Sequence, residues 1–216
     1  MTIFPNSSFN TTDYPALKRI PNLLTLIRIM LAPVFLILFL QEDWMMRLAA
    51  VLVFTVAAIT DYLDGYLARV LQAHSAFGNF MDPLADKVLT FLGFASLSVL
   101  NAELFPWWVF AFIVGRDVFV TYMRTLANKR GKAMATSYTA KLKTAIQLIF
   151  LYVALLSFTL LMLPATQAFF QGWFFDSGLL TWLYYGVMLF TVYTGFQYIY
   201  NNREIFKSKS KSTRSA

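Results

Sequence analysis

The segment from Asp61 to Asp86 reads DYLDGYLARVLQAHSAFGNFMDPLAD. It contains two carboxylates three residues apart, Asp61 and Asp64, and two more four residues apart, Asp82 and Asp86. Residues at these separations lie on one face of an α-helix. Because the stretch between the two pairs is short, we expect two antiparallel neighbouring helices whose four carboxylates converge near the cytoplasmic interface.

The sequence around this segment is strongly apolar. Of the 216 residues, 58% are hydrophobic and only 13% are charged, and the mean hydropathy is +0.58. Water-soluble domains carry about 25% charged residues, so lipid is predicted to be the main solvent of this chain. The net charge of +7 is assigned to basic cytoplasmic loops and tails, and no nucleic-acid partner is expected.

Six apolar stretches, each close to the ~20 residues that cross a bilayer, predict an all-α polytopic membrane protein with six transmembrane helices. We place these helices at Asn22–Leu40, Met46–Val70, Gly78–Leu100, Pro106–Asn128, Tyr138–Leu163 and Leu179–Tyr200. The predicted organisation is an N-terminal cytoplasmic or interfacial segment over 1–20, a six-helix membrane domain over 21–203 and a basic cytoplasmic tail over 204–216.

The charges of the connections predict the orientation. The first, third and fifth connections are acidic, with Arg47 as their single cation, whereas basic residues gather in the other connections and in the tail. The positive-inside rule therefore predicts that both termini and the acidic segment face the cytoplasm. The fifth connection, Pro164–Gly178, is rich in aromatic residues, and we expect it to lie in the outer membrane interface.

Four acids at one point conflict with a low-dielectric membrane, because each costs about 2.5–3.5 kcal/mol on insertion. Divalent cations would remove this conflict. The chain has no Cys and one His, so a metal must rest on carboxylates, which suit Mg²⁺ or Mn²⁺. A packing role for the acids and an ion-coupled transporter are the alternatives. Packing does not call for four buried acids, and transport does not explain Gly65, Arg69 and Gly78. The small residues Gly65, Ala68 and Gly78 would let a bulky nucleotide approach the backbone.

The segment matches the pattern D-x2-D-G-x2-A-R-x8-G-x3-D-x3-D of CDP-alcohol phosphotransferases at every fixed position. On this resemblance the chain is identified as a member of that family. The resemblance implies the CDP-alcohol phosphotransferase fold, a homodimer and two bound ions of Mg²⁺ or Mn²⁺. The metal ligands that it implies are Asp61, Asp64, Asp82 and Asp86. Asp86 would also be the catalytic general base on the acceptor hydroxyl. The residues implied to bind the CDP part of the donor are Gly65, Ala68, Arg69 and Gly78.

The first predicted helix opens with PNLLTLIR over residues 21–28, which is similar to the P-N-x-L-T-x-x-R opening of bacterial phosphatidylglycerophosphate synthases. Asn22 and Thr25 lie one turn apart and are predicted to bind the donor, with helix capping after Pro21 as the alternative. Arg28 lies at a depth where an unpaired cation is costly. We therefore expect it to reach toward the acidic site or a phosphate.

A group of cations further along the chain is predicted to bind a phosphate on the acceptor, because arginine forks fit a phosphate dianion. These cations are Arg116, Arg124, Lys141 and Lys143. Their spacing resembles the R-E…R…G-K-x-K-T pattern of the same subfamily, with Asp117 in place of Glu and Ala140 in place of Gly. An ion pair with a neighbouring acid is the alternative for Arg116. Only one of the two lysines is expected in the pocket, since they point to different helix faces.

The predicted reaction is transfer of the phosphatidyl group from CDP-diacylglycerol to sn-glycerol 3-phosphate, which gives phosphatidylglycerophosphate and CMP. The predicted location is a bacterial inner membrane, with membrane lipids as further partners. Inositol phosphate, phosphatidylglycerol and serine stay open as acceptors within the same family.

Overall fold

The computed structural model describes the backbone of residues 20–70, 76–129 and 138–207, and side chains over 23–61, 63, 87–127, 139 and 141–203. No β-strand occurs among these residues. The helices are α1 Ile20–Phe39, α2 Trp44–Val70, α3 Ala76–Leu100, α4 Trp107–Lys129, α5 Tyr138–Leu160, α6 Pro164–Phe170 and α7 Leu179–Lys207, with a π-helix Gln171–Asp176 between the last two.

The predicted apolar stretches correspond to α1–α5 and α7. Their bounds agree with the helices to within three residues, except that α7 continues seven residues beyond the predicted end at Tyr200. The all-α prediction is therefore confirmed for the described residues. The predicted segment 1–20 lies outside the described residues except for Ile20. Of the predicted tail 204–216, residues 204–207 continue α7 and the rest lie outside the described residues.

Three stretches of the described chain are long and apolar enough to cross a membrane: Trp44–Asp61, Lys141–Leu160 and Leu179–Arg203. Helices α1 and α3 add shorter apolar stretches at Leu23–Phe39 and Lys87–Leu100. Large hydrophobic side chains are exposed along the long stretches, among them Leu52, Ile149 and Leu189. Exposed apolar surface of this extent marks a membrane or partner-binding face.

The chain divides into two compact units, Met1–Phe35 with Leu52–Leu89 and Leu36–Val51 with Thr90–Ala216. In the first unit, α1 buries one helical stripe that includes Thr25, Arg28 and Phe35. The Phe35 ring packs against Phe54 of α2 at 5.2 Å between centroids. This contact fixes the register of α1 along α2.

The core of the second unit is aromatic. The Phe150 ring of α5 stacks on Phe94 of α3 at 5.9 Å and on Tyr184 of α7 at 5.7 Å. Phe105, just before α4, meets Tyr184 edge-on at 5.4 Å. Ring pairs at such distances contribute about 0.5–1.5 kcal/mol each beyond their buried area. They hold α3, α5 and α7 together.

The fifth connection is helical rather than irregular. Pro164 occupies the first turn of α6, where its missing N–H costs no hydrogen bond. The ring of Phe175, in the π-helix, packs edge-on against Phe158 of α5 at 5.0 Å. Gly178 then adopts a φ of 70°, a left-handed conformation that suits glycine, and α7 begins at the next residue.

The five tryptophans all lie at or beside the first, third and fifth connections. Trp44 begins α2, Trp107 and Trp108 begin α4, Trp173 lies in the π-helix and Trp182 lies in the first turn of α7. Each is at least 36% exposed. Tryptophan is enriched where a membrane meets water, so these connections have the composition of an interfacial belt.

Candidate active site

The aspartates of the acidic segment all lie on helices. Asp61 and Asp64 belong to α2, and Asp82 and Asp86 belong to α3. Their spacings of three and four therefore fall within regular helix, where such residues share a face. The predicted site residues whose side chains fall outside the described part are Asn22, Asp64, Gly65, Ala68, Arg69, Gly78, Asp82 and Asp86. The roles predicted for these residues stay predictions.

Asp61 is the aspartate of this segment whose side chain the structure describes, and it pairs with Arg28 of α1. The Nη1 atom of Arg28 lies 2.6 Å from Oδ1 of Asp61. Arg28 is 1% exposed, so its charge would be costly without a partner. The prediction that Arg28 reaches toward the acidic site is confirmed by this contact.

The two partners differ in their access to solvent. The Asp61 side chain is 46% exposed, whereas that of Arg28 is 2% exposed. A carboxylate offers about four lone-pair sites on two oxygens, so one ion pair uses only part of its capacity. The pairing with Arg28 thus leaves carboxylate oxygen of Asp61 accessible to a cation.

The second group of charges is buried among α4, α5 and α7. Lys143 of α5 donates through Nζ to both carboxylate oxygens of Asp117, at 2.6 and 2.5 Å. Arg116, beside Asp117 on α4, donates from Nη1 to Oδ1 of the same carboxylate at 3.1 Å. Asp117 and Lys143 are both buried. One carboxylate therefore holds two cations together, as charges removed from water require.

Helix α7 completes this cluster with hydroxyl groups. Arg116 donates from Nη2 to Oγ1 of Thr194 at 3.1 Å. The Thr194 hydroxyl itself donates to the carbonyl of Thr191 at 2.8 Å. Gln147, one turn after Lys143 on α5, donates to the Thr191 hydroxyl at 3.1 Å. The cluster thus links three helices through side-chain hydrogen bonds inside an apolar unit.

Two predicted cations lie apart from this cluster. Arg124 follows Arg116 by eight residues, which is about 12 Å along α4, and its guanidinium carbon lies 5.9 Å from the ring centre of Tyr198. Lys141 is exposed, whereas Lys143 is buried. The structure therefore brings Arg116 and Lys143 together, and it separates the two lysines as their different helix faces predicted.

The ion pair that was the alternative interpretation of Arg116 is present, because Asp117 is its partner. The parts of the cluster that the sequence interpretation missed are the double role of Asp117 and the contribution of Gln147, Thr191 and Thr194. Their signal is modest. Polar residues recur one turn apart in helices that are otherwise apolar, with Gln147 after Lys143 on α5 and Thr194 after Thr191 on α7.

Comparisons with known proteins agree with the aspartate pattern. Residues 18–193 match the family described as CDP-alcohol phosphatidyltransferase. A Bacillus subtilis protein named CDP-diacylglycerol–glycerol-3-phosphate 3-phosphatidyltransferase is 33% identical over 206 residues, which cover 88% of this chain and 98% of that protein. The Escherichia coli K12 protein of the same name is 36% identical over 135 residues, which cover 60% of this chain and 72% of its relative.

The resemblance drawn from eight residues of the acidic segment is confirmed by these matches, which extend over most of the chain. The family consists of membrane enzymes, and the described helices include three that can cross a bilayer. The chain is an integral membrane protein that belongs to the CDP-alcohol phosphatidyltransferase family.

Proposed function

We propose that this protein transfers the phosphatidyl group of CDP-diacylglycerol to sn-glycerol 3-phosphate, forming phosphatidylglycerophosphate and releasing CMP in phospholipid biosynthesis. The names of both relatives support this reaction. The family match also accounts for the intramembrane acids, so an ion-coupled transporter is no longer needed to explain them. The observation that carries the choice of a phosphorylated acceptor is the buried cluster of Arg116, Asp117 and Lys143.

Arg116 retains the donors that a phosphate needs. A guanidinium carries five N–H donors, and the contacts of Arg116 with Asp117 and Thr194 use one hydrogen on each terminal nitrogen. The other hydrogen of each terminal nitrogen stays available for an oxyanion. An acceptor with a phosphate group would use these charge-assisted donors, whereas serine offers no comparable dianion. Inositol phosphate shares this chemistry, and the names of the relatives favour glycerol 3-phosphate over it.

The acidic segment has the chemistry of a site for hard cations. In a chain with no Cys and a single His, four carboxylates suit Mg²⁺ or Mn²⁺. Asp61 is half-exposed, with one oxygen on Arg28. We assign two such ions to Asp61, Asp64, Asp82 and Asp86. When bound, these ions would neutralise the pyrophosphate of the donor and the departing CMP.

Each residue of the site has its own role in the reaction. Asp86 takes the proton of the acceptor hydroxyl as general base. The acceptor oxygen forms a bond to the β-phosphorus, which carries the lipid, and the bond from that phosphorus to the CMP oxygen breaks. The residues that hold the CDP part of the donor are Asn22, Thr25, Gly65, Ala68, Arg69 and Gly78. Arg116 and Lys143 hold the phosphate of the acceptor, and Arg124 and Lys141 contribute positive charge near it.

We further assign six transmembrane helices, α1–α5 and α7, to a bacterial inner membrane, with both termini and the active site on the cytoplasmic side. The charges of the connections support this orientation. The exposed tryptophans all lie at the first, third and fifth connections, which supports an interfacial position for these connections. Family membership supports a homodimer.

The test of the function is an acceptor screen with purified protein in detergent and CDP-diacylglycerol labelled in the lipid. We expect CMP release and labelled phosphatidylglycerophosphate when glycerol 3-phosphate and Mg²⁺ are both present. Labelled product with inositol phosphate or serine instead would reassign the acceptor. Absence of metal-dependent CMP release with all of these acceptors would overturn the assignment as a phosphatidyltransferase.

A further inference from the structure

Gly195 of α7 lies directly against the side chain of Arg116. A Cβ atom at position 195 would come within 2.9 Å of Cγ and 3.3 Å of Nε of Arg116. Real side chains do not approach a Cβ so closely, and Cγ is the base of the arginine side chain rather than its mobile end. Arg116 therefore occupies space that is open only because residue 195 has no side chain.

The neighbouring residue, Thr194, fixes the other end of the same arginine. Its hydroxyl hydrogen is engaged by the carbonyl of Thr191 at 2.8 Å, so the oxygen presents lone pairs to Nη2 of Arg116 at 3.1 Å. Asp117 holds the second terminal nitrogen, Nη1, at 3.1 Å. The stem and both terminal nitrogens of Arg116 are thus fixed by separate groups.

We infer that Thr194 and Gly195 of α7 are positioning residues that together orient Arg116 toward the phosphate of the acceptor. The inference rests on the proposed function. Neither residue needs to touch a substrate, because α7 acts by fixing the direction of the hydrogen that is left on each terminal nitrogen of Arg116. These two residues would therefore set the apparent affinity for the phosphorylated acceptor, with little influence on the apparent affinity for the donor.

The first test is Gly195→Ala, with Gly186→Ala as its matched control. Both changes add a methyl group to a glycine of α7, but a Cβ at position 186 would meet nothing within 4 Å. We expect Gly195→Ala to raise the KM for glycerol 3-phosphate about 10-fold, close to the loss of a charge-assisted hydrogen bond. The KM for CDP-diacylglycerol should change less than 2-fold. Gly186→Ala should match the wild type in both.

The second test changes Thr194 without adding volume. Thr194→Val removes the oxygen that accepts from Arg116, and we expect the KM for glycerol 3-phosphate to rise about 2- to 10-fold. Thr194→Ser keeps the hydroxyl and should restore the wild-type value. If Gly195→Ala does not survive detergent extraction, this pair decides the question alone.

A double-mutant cycle separates positioning from a general packing effect. In an Arg116→Ala background, Gly195→Ala and Thr194→Val should add no further rise in the KM for glycerol 3-phosphate, since the residue that they position is gone. Additive losses would overturn the inference, as would single variants with an unchanged acceptor KM in an enzyme active on glycerol 3-phosphate. A wild-type protein that transfers to no phosphorylated acceptor would overturn the proposed function first.

Discussion

The acidic segment of α2 and α3 and the cluster around Asp117 differ in their balance of carboxylates and cations. In the acidic segment, carboxylates outnumber cations, and the described carboxylate of Asp61 is half-exposed beside a fully buried Arg28. In the cluster, one buried carboxylate holds two cations. In both regions the buried charged groups have ion-pair partners, and one member of each pair keeps hydrogen-bonding positions that the pair does not use. Asp61 retains lone pairs for a cation, and Arg116 retains hydrogens for an oxyanion.

The largest expected effect tests the acidic side of this comparison. Asp64→Asn should abolish turnover, because an amide is a far weaker ligand for a hard cation than a carboxylate. The protein should still insert, since removing a charge lowers the insertion cost. Glu103→Gln, which neutralises an exposed acid between α3 and α4, should leave turnover unchanged. Near-normal activity of Asp64→Asn at saturating Mg²⁺ would refute the metal assignment.

A second change separates the general base from the metal ligands. Asp86→Asn should lower the rate of the chemical step by about 10²- to 10⁴-fold. Binding of CDP-diacylglycerol should be affected less, because three other aspartates remain to hold metal. Single-turnover kinetics together with a donor-binding titration would measure the two effects. Equal losses in both would mean that Asp86 acts as a ligand only.

The next change breaks the cluster at its centre. Asp117→Asn removes the charge that holds Arg116 and Lys143, and breaking a buried pair of this kind costs about 3–5 kcal/mol of stability. We expect a clear fall in the detergent Tm and a higher KM for glycerol 3-phosphate. Asp117→Glu keeps the charge and should lose much less stability. Equal Tm values for Asp117→Asn and the wild type would show that the carboxylate does not hold the cluster.

The smallest expected effect tests whether Arg116 binds the phosphate of the acceptor. Arg116→Ala should raise the KM for glycerol 3-phosphate about 10- to 150-fold, from the loss of about 1.5–3 kcal/mol. The effect on CDP-diacylglycerol should be smaller. Arg203→Ala, at an exposed position near the end of α7, is the matched control and should change the acceptor KM less than 2-fold. If Arg116→Ala weakens only the donor, the acceptor phosphate binds elsewhere.

The two regions also differ in how far they can be predicted from the sequence. The acids lie within 26 consecutive residues, and helical spacing alone puts each pair on one face. The cluster depends on contacts between distant residues, such as Arg116 with Thr194, 78 positions later. The cations of the cluster can be identified from the sequence because they interrupt apolar stretches. Their shared partner depends on how Lys143 of α5 approaches Asp117 of α4. The space beside Gly195 depends on how α4 packs against α7, and no local period reveals either arrangement.

The arrangement of the indole side chains has an optical consequence. In the proposed orientation, all five fluorophores border the periplasmic leaflet. Brominated lipids or another quencher confined to that leaflet should therefore extinguish most of the intrinsic emission, and the same quencher in the opposite leaflet should have little effect. Ligands arriving from the cytoplasm would leave the emission almost unchanged. In the proposed orientation the cytoplasmic side carries no native tryptophan. A single tryptophan introduced there would report on ligand binding by an emission that a periplasmic quencher does not remove.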